Sequence, residues 1–260
     1  MSDVSDWWST DIIDMAPGQI RLRGHPIEEL IGAVSFPQMI WLMTRGDMPS
    51  EAEAALFEAA LVAAVDHGPQ APSIAAARMA VTCGLPLNGA MASAVNMLDD
   101  VHGGAGEQAV ELYTRVDASD ASLAEVLEGW RAEHGRFVPG FGHRFHKPVD
   151  PRAPRLLALV DAAAEMGTVS GRFAGIARGI EAALAAEKGK PVTMNIDGAT
   201  AVIFAELGFP APLARGLFCL SRSVGILSHA YEQQQQGGRN KGPTPPGYRW
   251  TYTGPNPIED

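Results

Sequence analysis

Apolar positions recur along most of this chain with the period of an α-helix. The run AALFEAALVAAV is rich in strong helix formers, Ser50 with Glu53 forms a capping-box pattern ahead of it, and Gly68 with Pro69 ends it. That helix is predicted to deliver Asp66 and His67 to its C-terminal end. A helix is predicted to start near Ala105. Ser122 with Glu125 opens another, in which Leu123, Val126, Leu127 and Trp130 share one face and Gly135 closes the run. Residues 151–166 continue in the same way, with Leu156, Leu157 and Val160 inward, Asp150 as the N-cap and Pro151 as the first helical residue. Further helices are predicted from Ser170 to Ala186, over 198–207 and over 212–232, while only 18–24 and 245–254 hint at extended structure. The pattern is mostly α, with no internal repeat and no βαβ rhythm.

Composition then narrows the functional classes. The 260 residues suffice for one full core or two unequal lobes, and 46% hydrophobic with 19% charged residues is ordinary for a globular chain. A net charge of −10 argues against nucleic acid as the main partner, because neutralising phosphates takes a basic face. Any anionic ligand must be gripped by a local cluster. Cys83 and Cys219 form neither a metal pair nor a disulfide framework, and both read as buried thiols of a cytoplasmic protein. The start, MSDVSDWWSTDI, lacks a basic segment followed by an apolar run, so neither a targeting signal nor a membrane partner is expected. Trp7, Trp8 and Trp41 read as packing or dimer-contact residues. No P-loop or dinucleotide fingerprint points to ATP or NAD.

Candidate chemistry concentrates in PGFGHRFHKPVDPRAPRLL, residues 139–157. Gly140 and Gly142 let the backbone come close to a ligand, His143 exchanges a proton near neutral pH, and Arg152 and Arg155 offer planar forks to carboxylate or phosphate. An anionic ligand fits that set. Four other positions have two readings each. His102, ahead of two glycines, either donates to a developing oxyanion or merely joins two helices. His67 either binds a ligand or caps the preceding helix. Asp197, between apolar segments, is either a general base or the cap of the helix that follows. Arg222 interrupts an apolar helix and needs a partner, either a structural carboxylate or a ligand. His146 has no companions at zinc-like spacing, and no metal site is expected.

Six segments stand in register with a known family. HGGA at His102, PGFGHR with DPRA, NID at Asp197, SRSVG at Arg222, RGHPIEEL from Arg23 and RWTYTGP from Arg249 together resemble the citrate synthase superfamily over nearly the whole chain. The resemblance implies an almost wholly helical two-domain fold. Residues 1–104 and 222–260 would form a large dimerisation domain, and 105–221 an inserted small domain that binds coenzyme A. It further implies a homodimer, with Arg249 contributed across the interface.

Residue by residue, the resemblance assigns His102 to the thioester carbonyl as it becomes an enolate. It assigns Asp197 to proton exchange with the acetyl methyl, and His143 to the reacting carbonyl of oxaloacetate. His67, Arg144, Arg152, Arg222 and Arg249 would hold the substrate and its carboxylates. Val138, Pro139, Gly140, Phe141 and Gly142 would receive coenzyme A. The chain departs from the synthases in being shorter, in reading DHGPQAPS where they read DHExNAS, and in reading IDGATA where they read VDFYSG. DHGP and N-x-DG resemble the citryl-CoA lyase module of ATP-citrate lyase, whereas His102 in HGGA resembles the synthases. The first expectation is a citryl-CoA lyase forming acetyl-CoA and oxaloacetate, with the thioester as substrate and no permanently bound cofactor. The alternatives are a small citrate synthase, an enzyme of another acyl-CoA or oxo acid, and a noncatalytic CoA-binding subunit.

Overall fold

A computed structural model describes residues 7–255, so the beginning of the MSDVSDWW segment and residues 256–260 lie outside the described residues. Three short strands, β1 (Ile13–Ala16), β2 (Gln19–Leu22) and β3 (His25–Pro26), form an antiparallel sheet in the order β1-β2-β3. Eleven helices follow among the described residues: α1 (Ile27–Leu30), α2 (Phe36–Arg45), α3 (Glu51–Ala64), α4 (Pro72–Thr82), α5 (Leu87–Val95), α6 (Ala105–Ala118), α7 (Leu123–His134), α8 (Arg152–Glu165), α9 (Arg172–Lys188), α10 (Ile196–Glu206) and α11 (Ala211–Gln236). The mostly α architecture matches the sequence expectation.

Contacts divide the chain into two compact units. The first holds Met1–Ala63 with Ala105–Leu217, and the second Ala64–Gly104 with Phe218–Asp260. Residues 1–63 thus share a unit with 105–217. An aromatic cluster accounts for that grouping. Trp41 of α2 meets Phe209 edge-on at 4.9 Å, Phe57 of α3 stacks on Phe209 at 5.2 Å, and Arg45 lies over both Trp41 and Phe209 while donating to the Leu207 carbonyl at 2.7 Å. At the centre of this unit α10 is buried from Ile196 through Ala205 except at Asp197, and packs against α6, α8 and α9. A helix apolar on all faces needs such enclosure.

Both predicted capping boxes form. Ser50 and Glu53 exchange hydrogen bonds at the start of α3, as do Ser122 and Glu125 at the start of α7. Other expectations are corrected. Pro151 takes the N-cap position of α8 and the helix starts at Arg152, while the capping hydrogen bond comes from Asp150, whose carboxylate accepts the Arg152 N–H at 3.1 Å. The helix α9 starts at Arg172, whose N–H donates to the Ser170 hydroxyl at 3.2 Å, while the Glu206 carboxylate gathers the N–H groups of Gly171, Phe173 and Ala174. Residues 245–254 form no strand: the Tyr248 N–H turns back to the Pro245 carbonyl, and prolines at 245 and 246 withhold ladder donors. Cys83 is exposed and Cys219 half-buried, so neither is a core thiol. Trp41 is a core residue, as its packing role requires, and Trp7 and Trp8 are exposed. In the second unit α4 and α5 pair, and Arg78 of α4 reaches Glu232, Gln236 and His229 of α11. Among the described residues no helix is long and apolar enough to cross a membrane.

Candidate active site

In the first unit, the glycine-rich loop and the start of α10 form one hydrogen-bonded piece. The Gly142 N–H donates to the Thr193 carbonyl at 2.6 Å and the Asn195 N–H to the Gly140 carbonyl at 3.0 Å. Gly140 has a positive φ of 83°. A Cβ on it would lie 2.6 Å from Gly198 Cα, and one on Gly198 would lie 2.4 Å from the Gly140 carbonyl oxygen, so neither position has room for a side chain. Backbone thus presses on backbone. Asp197 is not the cap of α10. Asn195 is, accepting the N–H groups of Asp197 and Gly198 at 2.9 and 3.2 Å, which leaves the Asp197 carboxylate in the first turn, near the positive end of the helix.

His143 follows directly, and its Nδ1 accepts the backbone N–H groups of Phe145 and His146 at 3.0 and 2.9 Å. Two donors aimed at Nδ1 put the ring proton on Nε2. In that state His143 is a donor, as the polarising of a ketone oxygen requires. Accepting a hydroxyl proton at Nε2 requires the contacts to Nδ1 to open. Arg152 is not an open fork: its Nε and Nη2 pair with Asp150 at 2.9 and 2.8 Å, and only Nη1 stands outside the pair. Asp150 is fully buried. Burial opposes its ionisation, but the hydrogen bonds and charge of Arg152 outweigh this and hold the carboxyl below its ordinary range. Arg144 is exposed beside His143. A cavity of about 300 Å³ between α8 and α9, lined by Val149, Leu157, Glu181 and Met194 among others, contains none of the predicted site residues.

In the second unit, residues 99–104 form the tight turn that carries His102. Asp99 and His102 exchange backbone hydrogen bonds at 3.0 and 3.1 Å. Gly103 has φ of 108°, and a Cβ on Gly104 would strike the Asp100 backbone at 2.7 Å, so the paired glycines are required by the turn itself. The ring Nε2 of His102 accepts the Ser73 N–H at 3.2 Å, from the first turn of α4, and also meets the Ser73 hydroxyl at 3.0 Å. A backbone donor at Nε2 leaves Nδ1 as the protonated nitrogen. Burial first, and then the charge of Arg222, lower the His102 pKa below its ordinary value of 6.5, so the ring is neutral at pH 7 and an N–H donor. Arg222 is buried, donates through Nε to the Ala64 carbonyl at 3.0 Å and lies over the Phe218 ring.

His67 lies three residues beyond the end of α3, not on it. The turn that holds it is fixed by Asp66, whose carboxylate accepts the Gly68 N–H at 3.1 Å and pairs with His229 at 3.3 Å. Gly225 of α11 lets the Val65 carbonyl and Asp66 approach that helix. Arg249 is exposed in the segment after α11. The predicted residues therefore fall into two groups. His143, Arg144, Arg152, Asp197 and the 138–142 loop belong to the first unit, and His67, His102, Arg222 and Arg249 to the second.

Sequence reasoning missed two supporting residues and gave a third only part of its role. Asn195 was findable, since Asn just before an apolar helix is an N-cap signature. Asp150 was seen, but as a cap rather than as the partner of Arg152. Ser73 carried no signal, because it meets His102 across 29 positions of sequence.

The family model for the C-terminal domain of citrate synthase matches residues 43–241. The structure of citryl-CoA lyase from Hydrogenobacter thermophilus aligns with a TM-score of 0.86 at 32% identity, covering 97% of this chain and 96% of that one. ATP citrate lyase from Methanothrix soehngenii, solved in complex with citrate and coenzyme A, shares the fold at 21% identity, with a TM-score of 0.82 over 98% of this chain and 45% of that one. Citrate synthase of Haloferax volcanii is 32% identical over 213 residues, 81% of this chain and 53% of the relative. The chain spans about half the length of the curated relatives it matches.

Proposed function

Since the chain belongs to the citrate synthase family, we propose that it is a citryl-CoA lyase, which cleaves citryl-CoA to acetyl-CoA and oxaloacetate. The observation that carries this reading is the likeness to the Hydrogenobacter thermophilus lyase at 32% identity, which runs over nearly the full length of both chains. The departures at DHGP and N-x-DG favour the same choice.

The proposed mechanism assigns each step to a group whose local chemistry suits it. The hydroxyl of citryl-CoA lies against His143 and loses its proton to Nε2 once the Phe145 and His146 N–H groups release Nδ1 and the ring proton has passed from Nε2 to Nδ1. The carbon–carbon bond breaks, the hydroxyl-bearing carbon becomes the ketone of oxaloacetate, and the electron pair passes into the thioester as an enolate. The neutral His102 donates through Nδ1 to the enolate oxygen, a preorganised donor aimed where charge develops. Asp197, a carboxylate in the free protein that takes up a proton as substrate binds, gives that proton to the enolate carbon and releases acetyl-CoA, while the hydroxyl proton left on His143 passes to solvent. Arg144, Arg152, Arg222, His67 and a partner copy's equivalent of Arg249 hold the carboxylates. The backbone of residues 138–142 receives coenzyme A, and 105–221 act as the small domain of a homodimer.

A second reading, a citrate synthase that condenses and then hydrolyses, is favoured by the Haloferax volcanii relative and by the retained histidine of HGGA. Supplying citryl-CoA and following all products distinguishes the two. The lyase releases oxaloacetate with acetyl-CoA, while the synthase releases citrate with free coenzyme A.

A further inference from the structure

We infer that Asn195 is a positioning residue that makes the loop at 140–142 and the first turn of α10 move as one body. This rests on the proposed reading in one respect only, the assignment of that loop to coenzyme A and of Asp197 to proton transfer.

A single side chain makes both connections. Asn195 Oδ1 accepts the N–H groups of Asp197 and Gly198 at 2.9 and 3.2 Å, and Nδ2 donates to the Gly142 carbonyl at 2.9 Å. Its backbone N–H binds the Gly140 carbonyl at 3.0 Å, and the Gly142 N–H binds the Thr193 carbonyl at 2.6 Å. The contact of Gly140 with Gly198 has no slack, as a single added carbon at either would meet backbone at 2.6 Å or less. A capping role uses only the carbonyl half of the amide. The amide nitrogen is spent on the loop, one residue before His143. A thioester seated on the backbone of 140–142 therefore pulls, through Asn195, on the turn that aims the Asp197 carboxylate.

The α10 end of this link is held by two neighbouring helices. The Met194 N–H donates to Glu181 of α9 at 2.8 Å, and fully buried Tyr113 of α6 donates to the Gly198 carbonyl at 3.2 Å. Burial, then the charges of Glu181 and Asp197, drive the Tyr113 pKa upward, so its hydroxyl stays a donor. On the loop side Val138, Pro139 and Gly140 are buried, and the Thr193 and Asn195 bonds tie the loop to 193–195. Beside the backbone contact of Gly140 with Gly198, Asn195 is the side chain through which loop position reaches the turn that carries Asp197.

Asn195→Asp separates the two functions, because Asp caps a helix as well as Asn does but has no amide to donate to Gly142. Melting temperature should fall by no more than about 4 °C, within the reach of one surface-level contact. Turnover of citryl-CoA should fall about a hundredfold in kcat, as expected for a misplaced catalytic group, with a smaller rise in KM. Asn195→Gln retains both functional groups at a longer reach and should recover part of that loss, whereas Asn195→Ala should lose both stability and turnover. A variant Asn195→Asp with wild-type kcat and KM would overturn the proposal.

Amide hydrogen exchange tests the link without any turnover. In Asn195→Asp the Gly142 amide should exchange about tenfold faster, as expected when a local opening becomes easier, while the capped Gly198 amide stays within about threefold of wild type. Equal exchange of Gly142 in both proteins removes the link whatever the activity. A wild-type protein that leaves citryl-CoA untouched but shows this exchange pattern overturns the lyase reading and leaves the link standing.

Discussion

The loop at Gly140 and the turn at His102 both depend on glycines, yet they use them for different ends. At Gly140 the missing side chain lets two backbones touch, so the glycine sets where Asp197 lies relative to the loop. At Gly103 and Gly104 the missing side chains let the chain reverse, and the outcome is electronic: a histidine ring is delivered onto the N-terminus of α4, which fixes its proton on Nδ1. One region controls position and the other protonation state. Substitutions at Gly140 or Gly198 should disturb fold and chemistry together, whereas at His102 the chemistry can be altered with the fold largely intact.

The largest expected effect breaks the positional half at its chemical end. Asp197→Asn should lower turnover about a thousandfold, the usual worth of a positioned acid or base, and should also abolish solvent-deuterium uptake into the methyl of acetyl-CoA. Robust activity in that variant would remove Asp197 as the base. Next comes the electronic half. His102→Gln should cost about a hundredfold in kcat, the scale of one lost oxyanion donor, with a melting temperature close to wild type; an equal loss of folding would assign His102 to structure instead.

Two glycine substitutions then sharpen the distinction within one loop. Gly140 and Gly142 both have positive φ, but only Gly140 faces backbone where a Cβ would sit. Gly140→Ala should destabilise by about 3 kcal/mol in denaturant unfolding, and Gly142→Ala by about 1 kcal/mol, since the latter carries only conformational strain. Similar values for both would show that the close approach to Gly198 is not what the loop depends on.

The smallest effect is a pH profile. Because the His102 pKa is lowered below 6.5 by burial and by Arg222, the neutral ring persists through that value as pH falls. Protonation would place a second hydrogen on Nε2, against the Ser73 N–H. Turnover should therefore stay level from pH 8 down through 6.5 and decline only below it. A decline centred above 6.5 would contradict the assigned state of the ring.

Much of this arrangement was legible in the sequence, and the missing parts share a physical character. The capping boxes at Ser50 and Ser122 are local, and both form as read. The helix α2 carries a local signal of the same kind, a capping box of Ser35 and Gln38 with Pro37 beside it. The short helices α4 and α5 are rich in small residues without a clear apolar stripe, and proline at position 72 or 86 marks only where each begins. The strand β1 is exposed at all four positions, so it had no alternation to read. Glu206 at the start of α9 and Ser73 against His102 are contacts over long stretches of chain, which no local pattern encodes. The candidate residues themselves were legible because glycine, histidine and acid stood in register. Their partners, Asn195, Asp150 and Ser73, decide how those residues are presented.

The most direct test is a time course of the purified protein with citryl-CoA, following oxaloacetate, acetyl-CoA, citrate and free coenzyme A together. The account predicts oxaloacetate and acetyl-CoA in equal amounts, with little citrate or free thiol. Citrate and free coenzyme A as the main products would contradict it and make the protein a hydrolysing synthase.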